Sequence, residues 1–205
     1  MKRTVNYLLV LVAIAPLLIA AASMAGKRVS LFDGKTLDGW TVLKCEAKVD
    51  SGDILIQSGN GLVQTQKKYA DFVLEWDWKM LAEDKWDSGI YFRYDAVPKN
   101  KPWPARYQCN LRKGQEGNVD GLKGATSTGL IKPGEWNKFK LTVRGGNADL
   151  QINGKQAWKA EGLEGPGSGY LALQAEVPNG GQHRFRNIYI TELEAEKPKA
   201  TEPKA

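Results

Sequence analysis

Three short segments gather most of the side chains able to do acid–base or hydrogen-bonding chemistry. They are Asp87-Ser88-Gly89-Ile90-Tyr91-Phe92-Arg93, Arg106-Tyr107-Gln108-Cys109-Asn110 and Leu173-Gln174-Ala175-Glu176. A fourth, Phe72 to Met80, alternates Val73, Glu75, Asp77 and Lys79 with large apolar residues. Successive side chains on a strand point to opposite faces, so each segment can offer an apolar row to a core and a polar row to an open face. Such rows can supply a carboxylate base, a cation for a developing oxyanion, and amides that both donate to and accept from hydroxyls. Glu176 is the first candidate base and Glu75 the second carboxylate. Arg93 is the candidate clamp for an oxyanion or hydroxyl, because guanidinium offers several fixed donors. Gln108 and Gln174 are candidate sugar-hydroxyl ligands, joined on the same rows by Asp77, Asp87, Tyr91 and Asn110. Trp86 and Trp103 flank these rows and are candidates to stack on a sugar ring. The ligand class this set suggests is a carbohydrate.

The elements that must position these residues are short strands between turns. Phe72, Leu74, Trp76, Trp78 and Met80 share one face, as on a half-buried antiparallel strand. Ile90, Phe92 and Tyr94 form one row of the next strand, with Tyr91 and Arg93 on the other. Arg106 to Arg112 puts Tyr107, Cys109 and Leu111 inward. Gly59-Asn60-Gly61 reads as a turn between two strands, and Asn153-Gly154 as the type I′ turn of a hairpin. Lys113 to Lys132 reads as a long loop poor in apolar residues. Regular short strands and no convincing amphipathic helix predict an all-β sandwich of antiparallel sheets. Trp40, Trp76, Trp78 and Trp136 are expected in its core, and His183, in a Gly-rich turn, at the surface, with a proton carrier lining the cleft as the lesser alternative.

Plainer readings exist for the polar rows. Glu75 and Asp77 read equally well as solvated strand residues. Arg93 reads also as a cross-strand partner of a neighbouring acid.

The ends and the charge bound the function. Lys2 and Arg3 precede an apolar run from Tyr7 to Ala22, and Ser23 and Ala25 suit cleavage after Ala25. Residues 1–25 therefore read as a signal peptide, the domain as 28–194, and the Glu/Ala/Lys/Pro/Thr stretch 195–205 as a disordered tail. The expected location is exported, periplasmic or extracellular, with no membrane attachment after cleavage. Of the net charge of +6, two positives belong to the leader, and the rest are spread without a basic stripe. Nucleic-acid binding is not expected. One histidine and two distant cysteines exclude a multi-histidine zinc site or a CxxC pair. Export leaves a Cys45–Cys109 disulfide open beside two free thiols. No cofactor is predicted. Asp33 and Asp38 read as turn formers, and no Asp-rich loop calls for the structural calcium that such sandwiches can hold.

Taken in order, several blocks resemble a known family. Leu31-Phe32-Asp33-Gly34-Lys35-Thr36-Leu37-Asp38-Gly39-Trp40 resembles the opening block of the 3-keto-disaccharide hydrolase domain. Asp87 to Arg93, Gly134-Glu135-Trp136-Asn137, Ile152-Asn153-Gly154-Lys155, and Leu173 to Glu176 followed by Phe185-Arg186-Asn187-Ile188 resemble its later blocks. The match spans about residues 30 to 193. The resemblance implies a concanavalin A-like, two-sheet jelly roll and hydrolysis of glycosides oxidised at sugar carbon 3. It departs from the family where Asp87 replaces Asn, where Arg106 stands in place of a frequent acid, where Asn110-Leu111-Arg112 lacks the Asp that commonly follows, and where Glu176 takes a position that is His in some relatives. These departures motivate an alternative function, a non-catalytic carbohydrate-binding module of the same fold.

Overall fold

The computed structural model describes residues 25–194; the signal-peptide and tail readings fall almost wholly outside them. The strands are β1 (Ala25–Ser30), β2 (Trp40–Asp50), β3 (Asp53–Thr65), β4 (Phe72–Met80), β5 (Gly89–Tyr94), β6 (Gln108–Asn110), β7 (Asn137–Arg144), β8 (Asn147–Ile152), β9 (Lys155–Glu161), β10 (Tyr170–Glu176) and β11 (His183–Leu193). One short helical turn, α1 (Val177–Gly180), joins β10 to β11. All named strand pairs are antiparallel, in the order β6-β5-β10-β3-β11-β4-β7-β8-β9, with β1 on β11 and β2 on β3. The result is a jelly-roll sandwich.

The two layers meet in β3. Its C-terminal half pairs with β10 through Asn60 to Gln64, and its N-terminal half pairs with β11 through Ile54 to Ile56. The expected turn at Gly59-Asn60-Gly61 is instead a bend inside this one 13-residue strand. The glycines make the bend possible. Gly59 has φ +89°, and a Cβ on Gly61 would overlap the backbone carbonyl of Leu43 on β2.

The core fills the space between layers. Phe72, Leu74, Trp76, Trp78 and Met80 of β4 are all buried, as their alternation requires. Trp76 stacks on Phe139 of β7 at 4.9 Å between centroids. From the other layer come Ile90, Phe92, Cys109, Leu173 and Ala175. Cys45 and Cys109 are free thiols. The Asn153-Gly154 turn has the expected left-handed pair, φ +52° and +78°.

Four expectations change. The 113–132 segment contributes Val119, Leu122 and Ala125 to the core, although its composition reads as solvent loop. Gly117 there approaches Ile152 so closely that a Cβ would lie 2.7 Å from its Cδ1, and its carbonyl accepts from Trp158 Nε1. The strand expected over Arg106–Arg112 is paired only at Gln108–Asn110. Trp136 is only partly buried, with the Arg186 guanidinium 3.9 Å above its ring. His183 is fully buried rather than at the surface.

Candidate active site

On the face of the β6-β5-β10-β3 layer turned away from the main core, register decides which side chains meet. Gln108 opposes Tyr91, Gln174 opposes Leu62, and Glu176 opposes Asn60. Directly paired residues share a face, and alternate residues return to it. Gln108, Gln174 and Glu176 therefore lie on one surface, and their side chains join. Gln108 Nε2 donates to Gln174 Oε1, and Gln174 Nε2 donates to Glu176 Oε2 at 2.9 Å. Gly89 lies between them on β5. A Cβ there would occupy the place of the Gln108 amide, so the missing side chain is what lets Gln108 cross the strand.

Asp87 reaches the same place from the segment before β5. Its backbone is pinned on several sides. Its N–H donates to the Gly180 carbonyl at 3.1 Å, and its carbonyl accepts from His183 Nε2 at 3.0 Å. His183 Nδ1 accepts from Trp78 Nε1 at 3.2 Å, so the ring carries its proton on Nε2. Burial lowers the His183 pKa to about 4 and keeps the ring neutral. Ser88, also fully buried, donates its hydroxyl to the Gln174 carbonyl at 2.8 Å.

Asp87 and Glu176 open onto one cavity of about 430 Å³, walled also by Lys85, Trp86, Arg112, Lys113 and Asn179. Burial raises the Glu176 carboxyl above the ordinary range, and the charge of Asp87 raises it further; Arg112, Lys85 and the Gln174 hydrogen bond oppose this. Asp87 is raised by burial, against Arg112 and Lys85. Arg112 Nε stands 3.7 Å from Asp87 Oδ2, beyond hydrogen-bond length. The Tyr91 phenol is pushed up by burial and by the charges of Glu176 and Asp87, so it remains an O–H donor beside them. Two partly desolvated carboxyls under cationic neighbours can divide the work of base and acid.

Other expected site residues lie elsewhere or are occupied. Arg93 leaves the polar row because its φ of +50° inserts a bulge between β5 and β10. Its guanidinium turns into a buried clasp, 2.6 Å from Asp71 Oδ1, 3.0 Å from the Ala70 carbonyl and 2.5 Å from the Gly145 carbonyl. The same bulge brings Tyr94 beside Tyr91. Glu75 and Asp77 sit on β4, in the other layer. There Glu75 accepts from Arg28 Nε at 2.6 Å, and Asp77 accepts from Asn187 Nδ2 at 2.7 Å. Asn110 builds its own loop: its Oδ1 accepts from the Arg112 N–H at 2.8 Å. Trp86 lines the cavity but is buried; its indole donates to Glu116 Oε1 at 2.8 Å, and Lys113 Nζ lies 4.9 Å from its ring centroid. At 4% exposure, little of the ring is left open for stacking. Trp103 donates to the Ala175 carbonyl at 3.2 Å and packs on the small apolar cluster of Leu62, Tyr91, Tyr94 and Ala172. Asp33 is a turn former, its Oδ1 accepting from the Lys35 and Thr36 N–H groups at 2.8 Å each.

Residues that the sequence did not single out for the site include Arg112, Lys85, Lys113 and Asn179, while His183 braces Asp87 from within the core. Arg112 carried a signal, since it extends the outward row of Gln108 and Asn110. Lys85 and Asn179 lie in segments whose path no periodicity fixes.

Comparison with known proteins agrees with this fold. No curated protein matches the chain. Among solved structures, one from Parabacteroides distasonis, provisionally named a glycosyl hydrolase, superposes with a TM-score of 0.66 at 21% identity, covering 82% of this chain and 94% of that one. The carbohydrate-binding module CBM66 from Bacillus subtilis gives 0.57 at 17%, covering 73% and 93%. A Bacillus subtilis protein of unknown function with a galectin-like fold gives 0.57 at 10%, covering 84% and 97%. At these identities the likeness is one of fold. The sequence itself matches a family over residues 27–191, which include every strand that builds the cavity, and the chain thus belongs to the 3-keto-alpha-glucoside-1,2-lyase-like domain family.

Proposed function

We propose that this chain cleaves 3-keto-glycosides, probing carbon 2 with Glu176 as base and the leaving oxygen with Asp87 as acid. The observation that carries this reading is the shared cavity, where burial holds both carboxyls above their ordinary range. A ketone at carbon 3 acidifies the hydrogen on carbon 2. Glu176 takes that proton, and the electron pair moves into an enolate on the carbon-3 oxygen. The ketone then re-forms, a double bond appears between carbons 1 and 2, and the group on carbon 1 leaves with a proton from Asp87. Water adds across the double bond, oxygen to carbon 1 and hydrogen to carbon 2, and the net reaction is hydrolysis. Arg112 takes the role first given to Arg93, that of cation near the enolate oxygen. Gln108 and Gln174 hold Glu176 in place, and Tyr91 and Asn179 offer polar groups to sugar hydroxyls.

An ordinary glycosidase sets its two carboxylates across the glycosidic bond. The enolate route differs in requiring the carbon-3 ketone. The proposal includes export through the leader ending at Ala25, to the periplasm or outside the cell. The test is product analysis with a 3-keto-disaccharide beside its unoxidised parent. Release of sugar from the keto substrate alone supports the enolate route. Calorimetric binding of either sugar with no product released favours the carbohydrate-binding module instead.

A further inference from the structure

Asn60 stands at the bend of β3, directly opposite Glu176 in the β10–β3 ladder. Both side chains leave the same face of the layer. The Asn60 Oδ1 is buried and accepts no hydrogen bond among the described residues. Buried acceptors left alone are uncommon in folded proteins and cost stability, so a partner is to be sought. Opposed Cβ atoms in a ladder lie about 4.5–5.5 Å apart, so a rotamer change can bring these two side chains into contact.

Glu176 accepts one hydrogen bond on Oε2, from Gln174. When it takes up a proton it becomes a donor and needs an acceptor. Apart from Asn179, which the proposed function gives to sugar hydroxyls, the surrounding groups fill that need poorly. Gln174 Oε1 already accepts from Gln108. Lys85 and Arg112 are donors only, and Asp87 shares the cavity as a candidate acid. Tyr91 keeps its phenolic proton; its oxygen can also accept, but the carboxylates beside it draw it as a donor.

We propose that Asn60 is a positioning residue whose Oδ1 receives the O–H of Glu176 once that carboxyl has taken the substrate proton. The inference rests on the reading of Glu176 as the base. The proton removed from carbon 2 becomes the carboxyl hydrogen, directed at β3 while Oε2 stays bound to Gln174. It returns to carbon 2 when water adds, and no other bond at Glu176 changes. The neutral amide thereby favours the proton-bearing form of the base without adding a charge to the cavity.

The experiment is a carbon-13 NMR titration of the full chain labelled at glutamate carboxyls, with the Glu176 signal assigned by its loss in Glu176→Gln. In Asn60→Leu the Glu176 midpoint falls by about half to one pH unit, the size of one net hydrogen bond. Leucine is close in size to asparagine and excludes water, so a fall there reports the missing acceptor. If Asn60→Leu does not fold, Asn60→Ala carries the same expectation. An unchanged or raised midpoint overturns the proposal. The titration needs no substrate, so it still decides the role of Asn60 if no glycoside is turned over. With an active enzyme, the acid limb of kcat moves down by the same amount while KM stays within about twofold.

Discussion

The two outer faces of the sandwich carry similar residues to different ends. On β4, Glu75 and Asp77 alternate with core residues, as Gln174 and Glu176 do on β10. Glu75 is met by Arg28 at 2.6 Å, and Asp77 by Asn187 at 2.7 Å with Arg186 3.5 Å away. These acids have close partners and face no cavity shared with the Glu176 group. Glu176 instead has an amide on one oxygen and a second carboxyl across a cavity, with its nearest cations held at longer range. Alternation alone makes a polar row. A site arises where connecting segments, here 84–87, 111–113 and α1, wall off that row and remove water from it.

The largest test of this contrast is in catalysis. Glu176→Gln is expected to lower kcat on a 3-keto-disaccharide by about 10²–10⁴-fold, the range for a lost general base, with an unchanged circular dichroism spectrum. Glu75→Gln should leave kcat within twofold. Equal losses in the two variants would erase the distinction between the faces.

Arg93 sharpens the contrast through stability. Arg93→Met strands Asp71 in a buried setting, and breaking such a pair costs about 3–5 kcal/mol. Urea denaturation should show that loss, while kcat per folded molecule at low temperature stays near wild type. A specific drop in kcat with normal stability would return Arg93 to the site.

His183 predicts a pH dependence of similar or smaller size. Its folded pKa, about 4, lies below the unfolded value near 6.5, so the unfolded chain binds the extra proton between them. Its contribution is fully present above about pH 6.5 and is lost as pH falls toward 4, about 3 kcal/mol in all. His183→Gln should flatten that part of the curve measured by chemical denaturation from pH 7 to 4. An unchanged slope would remove the ring from the account.

The smallest effect belongs to the exposed pair. Arg28→Gln should change stability by less than about 1 kcal/mol, less still in 1 M salt, because both side chains remain partly solvated.

Much of the fold was legible because it rests on period. The Phe72–Met80 alternation fixed β4 and its buried face, and Asn153-Gly154 fixed a hairpin. Gln108, Gln174 and Glu176 could be placed on polar rows for the same reason. Period fails where the chain departs from regular φ/ψ. The left-handed residue at 93 moves a guanidinium out of its expected row, and the bend at 59–61 hides one long strand behind a turn-like sequence. Which layer a strand joins is also silent in a local reading, so Glu75 and Glu176 look alike until pairing separates them. Arg112 and Lys85 converge only through loops, where no repeat constrains the path. The 113–132 segment hid its core residues among many glycines and polar groups.

The crossing of β3 has a further consequence. One strand is woven into both fabrics of the sandwich, and Asn60, at the weave itself, faces Glu176. A bulky residue at Gly61 would push against β2 and pry at the seam. Under the proposed mechanism such damage would reach the chemistry without touching any residue assigned to the sugar, because the proposed base stands opposite that seam.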